Sequence, residues 1–434
     1  MSKLKGKNLA KKIKHAGFQV LLVFLLAALL FSGCPQSQSG DQPQDGGQEE
    51  TPALQVPVPS VIRGDGELSI GWPAEAGIAY QVLYGTTNNS VAADQWNGTI
   101  SGSVAGTTIT GLSNGTTYYV WIRAQDAEET KESSQAAAGT PEAPPSGIQG
   151  FVYVSGGTVA GNEAYAMTVT VPTNPSGYYG AGKTFNKKGI FVEGRTVELD
   201  SFFMAKYETT RQLWYEVQTW AKASNYSFQN ETSEPAEDDK NKPVSGISWR
   251  DAIVWCNAYS EKSSLQPVYY SDGSALKDSQ NTGCDSAVMD KSKNGFRLPT
   301  EAEREFAARG GDPGKADWMF LFAGSNNADD VAWHHGNSQF TVNNVGVKNP
   351  NRLGIHDLSG NVQEWGWDWM NYSVDVTPQT PANGEPYSSR FSQKPMAGGG
   401  VGSNITYSCV ADRWGYATNY TNLYVGFRLV RKVE

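Results

Sequence analysis

The stretch that most constrains this chain is 353–369, LGIHDLSGNVQEWGWDW, which crowds four aromatic or histidine rings, three carboxylates and turn-forming glycines into seventeen residues. No regular helix or strand has this composition. Asp357, Gly360, Asn361 and Glu364 sit where a tight turn gathers carboxylate and carbonyl oxygens around one point, an arrangement suited to a hard cation such as calcium. Two such carboxylates can equally cap a turn with no ion. Trp365, Trp367 and Trp369 alternate, which places them on one face of a strand. An oxygen-rich turn joined to an aromatic strand is expected at the centre of an irregular domain.

The GNVQEW core resembles the GNVWEW signature of the formylglycine-generating enzyme family, the sulfatase-modifying-factor domain, which has a variant of the C-type lectin fold. Further pieces match that family in its order: Lys206 to Thr210, PVSGISWRDAIVWCNAYS from Pro243, GFRLPTEAEREFAARGG from Gly295 and GFRLV from Gly426. The resemblance covers about two thirds of the chain and implies an α+β, C-type-lectin-like domain over residues 146–434. It also implies a calcium site in which Asp357 and Glu364 give side-chain oxygens and Gly360 and Val362 give carbonyls; Gln363, where the family often has tryptophan, lies outside that ligand set.

Residues 1–34 carry six lysines between Lys3 and Lys14, then the apolar run Val20 to Phe31, then Ser32-Gly33-Cys34. Twelve apolar residues are short for a permanent span, and a basic leader with a short apolar core and small residues describes an export signal. Cys34 after Ser-Gly resembles a bacterial lipobox, which implies lipidation there, although Phe31 departs from the usual leucine. An uncleaved signal anchor is the alternative. Residues 35–55 are polar, with little to bury, and read as a disordered tether.

Between 56 and 142 the short alternating runs LSIGW, AYQVLY, TTITGL and TYYVWIRA, split by turn residues, predict a small all-β sandwich with Trp72 and Tyr80 in its core. The run Leu112 to Tyr118 resembles the fibronectin type III turn before its tyrosine corner. Arg63-Gly64-Asp65 spells an adhesion tripeptide, but it falls in the turn before LSIGW, and a Gly-Asp turn explains the same letters. Pro141 to Ser146 is a joint leading to the large domain.

In that domain, 151–200 reads mainly as strands with glycine-rich loops, and RTVELDSFFMAKYETT as a half-buried strand. Thr209 or Thr210 caps a helix over 211–223 whose stripe Leu213, Trp214, Val217 and Trp220 is core. Ser248 begins a second helix over 251–262, and Thr300 with Glu303 forms a capping box for a third over 301–309, where Arg304 stands in place of a tryptophan common in the family. The glycines at 310 and 311 end it.

Net charge is −9, and no basic cluster remains beyond the leader, which argues against nucleic acid as a partner. Apart from Cys34 the cysteines are Cys256, Cys284 and Cys409, so at most one internal disulfide is possible; spacing makes Cys256 and Cys284 the nearer pair without deciding it.

A working formylglycine-generating enzyme would, by the resemblance, oxidise a protein cysteine with oxygen at copper held by two thiolates five residues apart, before the final GFR. Here the interval 398–426 holds Cys409 alone, with Trp414 five residues on, and a lone thiolate is a poor copper site, so no copper and no catalytic residues are expected. A histidine-iron site fares poorly as well, since His334 and His335 are adjacent and would point apart, and a site drawing on His356 with one of them has no recognisable motif. Instead, twelve of the twenty-five residues in 400–424 are Ser, Thr, Asn or Tyr, the composition of a binding loop. This stretch resembles the variable region of retroelement-diversified C-type-lectin-fold surface lipoproteins. The expectation is a lipid-anchored bacterial envelope protein, exposed at the outer membrane surface. Its membrane contact is the N-terminal lipid, and it holds a protein or glycan through Asn404, Tyr407, Asp412, Trp414, Tyr416, Asn419, Tyr420, Asn422 and Tyr424. A Tyr- and Asn-rich surface loop with no ligand would have the same composition. An oxidase or related metalloenzyme acting on protein cysteine is the alternative function.

Overall fold

A computed structural model describes residues 54–95, 100–101, 106–173, 182–370 and 393–434. The leader, Cys34 and nearly all of the tether lie outside the described residues. Within the unit Ala53–Glu434 the architecture is sheet-rich with few helices.

Alternating residues build two facing sheets first. The strands β1 (Ser60–Gly64), β2 (Glu67–Gly71), β3 (Ala79–Gly85), β4 (Gly106–Thr110), β5 (Tyr118–Gln125) and β6 (Ala137–Gly139) enclose a core of Val61, Leu68, Ile70, Trp72, Tyr80, Ile109, Val120 and Ile122. The hydroxyl of Tyr118 accepts a hydrogen bond from Ser113 N at 3.1 Å, five residues upstream. Next come β7 (Phe151–Val154), β8 (Gly157–Ala160), β9 (Thr196–Leu199) and β10 (Phe202–Ala205). β9 alternates exposed and buried as expected, whereas β10 is buried throughout.

The proline-containing joint does not separate the two parts. β1 pairs with β8 antiparallel, Val61 opposite Thr158, so one five-stranded sheet runs β9-β8-β1-β2-β4. Successive side chains of β1 point to opposite faces. Val61 enters the sandwich core while Ile62 enters a second core with Val159, Phe191, Phe306 and Trp318. Ser69 Oγ donates to Asp312 Oδ2 at 2.7 Å, and a Cβ at Gly106 would lie 2.3 Å from Gly314 Cα, so only glycine admits this approach.

Helix α1 (Arg211–Ala223) is capped by Thr210, and α2 (Trp249–Lys262) and α3 (Glu301–Ala308) each begin with a capping box, Ser248 with Asp251 and Thr300 with Glu303. α1 and α2 face each other through Trp214 and Trp255, stacked with centroids 5.6 Å apart, in a third core that includes Trp249, Tyr269, Phe296 and Phe427. The end of the chain supplies β11 (Gln363–Trp365), β12 (Gln393–Ala397), β13 (Trp414–Ala417), β14 (Val425–Gly426) and β15 (Val430–Lys432). The sheet β13-β12-β11-β14 has β11 and β14 parallel, and β15 joins β10 and β7. Cys256, Cys284 and Cys409 are all free and buried.

Candidate functional site

The turn 357–361 is bracketed by two non-glycine residues in the left-handed region, Asp357 (φ 57°) and Asn361 (φ 58°). Asparagine and aspartate tolerate that conformation better than other side chains. Between them a Cβ on Gly360 would lie 2.5 Å from the Trp333 backbone. Glu208, just after β10, reaches across to hold the turn: one oxygen accepts from Val362 N at 3.0 Å and the other from Asn361 Nδ2 at 2.7 Å. Glu364 faces Arg428, whose Nε and Nη2 donate to it at 2.6 to 3.0 Å, while the guanidinium also donates to the carbonyls of Ala205 and His356. Arg428 and Glu364 are buried.

Asp357 Oδ2 accepts from Gly346 N at 2.7 Å, but its Oδ1 is buried with no hydrogen-bond partner among the described residues. Burial, reinforced by Asp357 and Glu364, pushes the Glu208 carboxyl well above its ordinary range, and burial raises Asp357 too. Of the implied calcium ligands, Glu364 is therefore matched by Arg428, and Asp357 has the unsatisfied oxygen. Among the described residues no three His, Cys, Asp or Glu side chains gather as a metal site. Glu208 and Arg428, both inside motifs visible in the sequence, are the members of this cluster that sequence reasoning left without a role.

Of the alternating tryptophans, Trp365 and Trp367 are buried and Trp369 is partly exposed, and the regular strand stops at Trp365. Their neighbour is unexpected. The Lys394 ammonium lies 3.6 Å from the ring centroid of Trp369, 4.1 Å from Trp249 and 4.6 Å from Trp367, and donates to Trp367 O at 3.0 Å. Burial pulls its pKa well down, with Asp368 opposing.

The segment 400–424 divides by direction. Asn404 turns inward to cap a short turn, accepting from Thr406 N at 2.9 Å, and Asp412 is buried against Lys187. These two side chains serve the fold and are withdrawn from the outer surface. Asn419 and Asn422 are exposed, and Tyr407, Trp414, Tyr416, Tyr420 and Tyr424 are partly exposed. Tyr416 on β13 stacks on Tyr420, centroids 4.1 Å apart, and Tyr407 meets Trp414 at 5.3 Å. Leu423, between Asn422 and Tyr424, is 75% exposed. Cys409 faces the other way, into the core of Phe306 and Trp318, where burial pushes its thiol up to about 12. Cys256 and Cys284 belong to a different core.

Comparison with known proteins gives three kinds of match. The family described as "Sulfatase-modifying factor enzyme 1-like domain" matches residues 137–433. A protein of Paenibacillus barcinonensis named "Chaperone protein LppX" is 33% identical over 224 residues, 46% of this chain and 72% of that protein. The formylglycine-generating enzyme of Mus musculus is 26% identical over 260 residues, 53% of this chain and 67% of the enzyme. Among solved structures, Treponema denticola variable protein 1 aligns at 27% identity and TM-score 0.47, covering 64% of this chain and 96% of its own. CarF aligns at 26% and TM-score 0.48, covering 65% of this chain and 98% of its own.

Proposed function

Because the chain belongs to the sulfatase-modifying factor enzyme 1-like family, we propose that it uses that scaffold to bind a protein or glycan ligand through the outward side of 400–424. The carrying observation is the stacked pair Tyr416 and Tyr420, flanked by exposed Asn419, Asn422 and Leu423. Rigid rings beside short amides and an exposed aliphatic group make a surface that gains contact area at low entropic cost. The Paenibacillus relative's name, a chaperone, favours polypeptide over sugar as the ligand. The lysine-rich leader and Cys34 support a lipid-anchored envelope protein, and the Tyr118 hydroxyl bonded to Ser113 N supports a fibronectin-like N-terminal sandwich. No helix among the described residues is long and apolar enough to cross a membrane.

The experiment is immobilisation of the full chain against glycan arrays and a panel of purified bacterial-surface and extracellular-matrix proteins, with Tyr416→Ala/Tyr420→Ala as the paired variant. A ligand bound at least about tenfold more weakly by an equally folded variant supports the reading. Equal binding by both refutes it. The identity to formylglycine-generating enzyme favours one second reading, an oxidase using Cys409. Stoichiometric tight binding of cuprous ion that is lost in Cys409→Ser would establish that reading in place of the first.

Calcium is proposed on one atom, the buried and unpartnered Asp357 Oδ1, with the Gly360 and Val362 carbonyls as its neighbours in the chain. A melting temperature that rises in millimolar calcium and falls with chelator, and does neither in Asp357→Asn, is the expected result. Indifference of the wild type to chelator removes the ion.

A further inference from the structure

The two facing sheets of the N-terminal region have five and six strands, and β6 is an edge strand of the six-stranded one. The sheet β9-β8-β1-β2-β4 is covered on its sandwich side by β6, which lies over β1 and β8; the place where a Cβ on Gly139 would stand is 2.5 Å from Val61 Cγ1. Thr158 lies opposite both Val61 and Glu198 in the register, so Thr158 and Glu198 share the face that Val61 presents. On β9, beyond β6, that face is exposed at Thr196 and Glu198. The result is a cleft of about 1290 Å³ with β9 as its floor and six consecutive residues, Gln135 to Thr140, along one wall. β6 pairs with β5 on one side, and its outer edge has no strand partner among the described residues.

We infer that this cleft takes an extended polypeptide, which adds to the outer edge of β6. A strand edge offers alternating N–H and C=O groups, and an extended peptide backbone matches that repeat. Six residues of wall correspond to about 20 Å of strand. Charge sets the sequence preference. Glu198 and Asp200 are exposed on the floor without an ion-pair partner among the described residues, so the occupant carries Lys or Arg at alternate positions, facing them. Lys291, Lys293 and Lys432 also line the cleft, and the Lys432 ammonium donates to Ser292 O. This site shares no residue with the Tyr416 surface and does not depend on that surface binding anything.

The test uses the full chain and a random heptapeptide library on beads, followed by fluorescence polarisation of the selected peptides. Selected peptides should be enriched in Lys and Arg at every second position, and Glu198→Lys should weaken them at least about fivefold or reverse the preference to acidic residues. N-methylation of the peptide backbone, one residue at a time, should weaken binding about fivefold to tenfold at alternate residues and little between them, because only alternate amides face the strand. The inference is overturned if no heptapeptide binds, if the N-methyl scan shows no alternation, or if Glu198→Lys leaves affinity and preference unchanged. A second copy of the chain as the occupant would appear as a dimer in sedimentation that Glu198→Lys dissociates and free heptapeptide does not bind, and that also overturns it.

Discussion

Replacing Arg428 by methionine tests the electrostatic account of the buried cluster. The side chain is fully buried, and its guanidinium donates to both oxygens of Glu364 and to two backbone carbonyls. Methionine fills much of the volume but supplies no charge and no donor. Glu364 would then remain beside Glu208 and Asp357 with its hydrogen-bonded counter-ion gone and only Arg304 Nε, 4.0 Å away, facing it, and breaking a buried pair from one side costs about 3–5 kcal/mol. Two carbonyls lose their donors as well, at about 1 kcal/mol or more each. The sum, about 5 kcal/mol or above, is comparable with the whole stability of an ordinary domain. Urea unfolding followed by tryptophan fluorescence should show Arg428→Met unfolded or severely shifted at neutral pH. Arg428→Met/Glu364→Gln should recover about 2–3 kcal/mol of that loss, because the stranded charge is gone. A single variant within about 1 kcal/mol of wild type, or a double variant no better than the single, refutes the assignment of Arg428 as the counter-ion of Glu364. Recovery of the single variant by calcium alone would instead mean that the acids form a cation site whenever the guanidinium leaves.

The remaining expectations follow from burial. Burial raises the Asp412 carboxyl from 3.8 to about 6, with Lys187 opposing, so the native chain holds this proton between those pH values while the unfolded chain has released it. Stability from this group is therefore full below the lower value and is lost as pH rises to the upper one, by up to about 3 kcal/mol, so Asp412→Asn should flatten the decline measured by urea titration between pH 4 and pH 7; parallel curves for the two proteins would contradict it. Burial pushes the Cys284 and Cys409 thiols up to about 12 and raises Cys256. At pH 8 these three should resist a disulfide reagent in the native protein and react in urea, and quick native labelling of Cys409 would count against its place in the core. Tyr118→Phe removes the acceptor of Ser113 N and should cost about 1 kcal/mol in thermal unfolding, with no change meaning that water replaces the hydroxyl.

The helices were legible because their signals are local. Thr210, Ser248 and Thr300 each bond a backbone amide three residues on; α1 and α3 begin at the expected residues, and α2 begins at Trp249, two residues before the expected 251. The sharing of β1 between two cores was not legible, since its partner Thr158 lies far along the chain and the adjacent apolar pair Val61 and Ile62 is too short a run to mark a strand buried on both faces. Glu208 and Arg428 were visible as motif letters, but they meet the turn through pairings that span much of the large domain. Lys394 escaped because an isolated lysine on a strand reads as exposed, while three tryptophans from two parts of the chain stabilise it in the interior.

Composition identified 400–424 as a binding stretch by counting residue types, and a count has no direction. Asn404 and Asp412 contribute to that count while spending their side chains on a turn and an ion pair. What remains at least partly exposed is Tyr407, Trp414, Tyr416, Asn419, Tyr420, Asn422, Leu423 and Tyr424, most of it in the far part of the stretch, where Tyr416 and Tyr420 rest on the core of Trp249 and Phe427. Cys409, the residue on which a copper reaction would depend, stands among the inward group. A ligand that grips the far part need not disturb the core around Cys409, whereas a metal at Cys409 must open it. Affinity at the tyrosines and reactivity at the thiol should therefore respond to separate substitutions, and a Tyr416→Ala/Tyr420→Ala variant that exposes Cys409 to thiol reagent would show that the two sides of this segment are not independent.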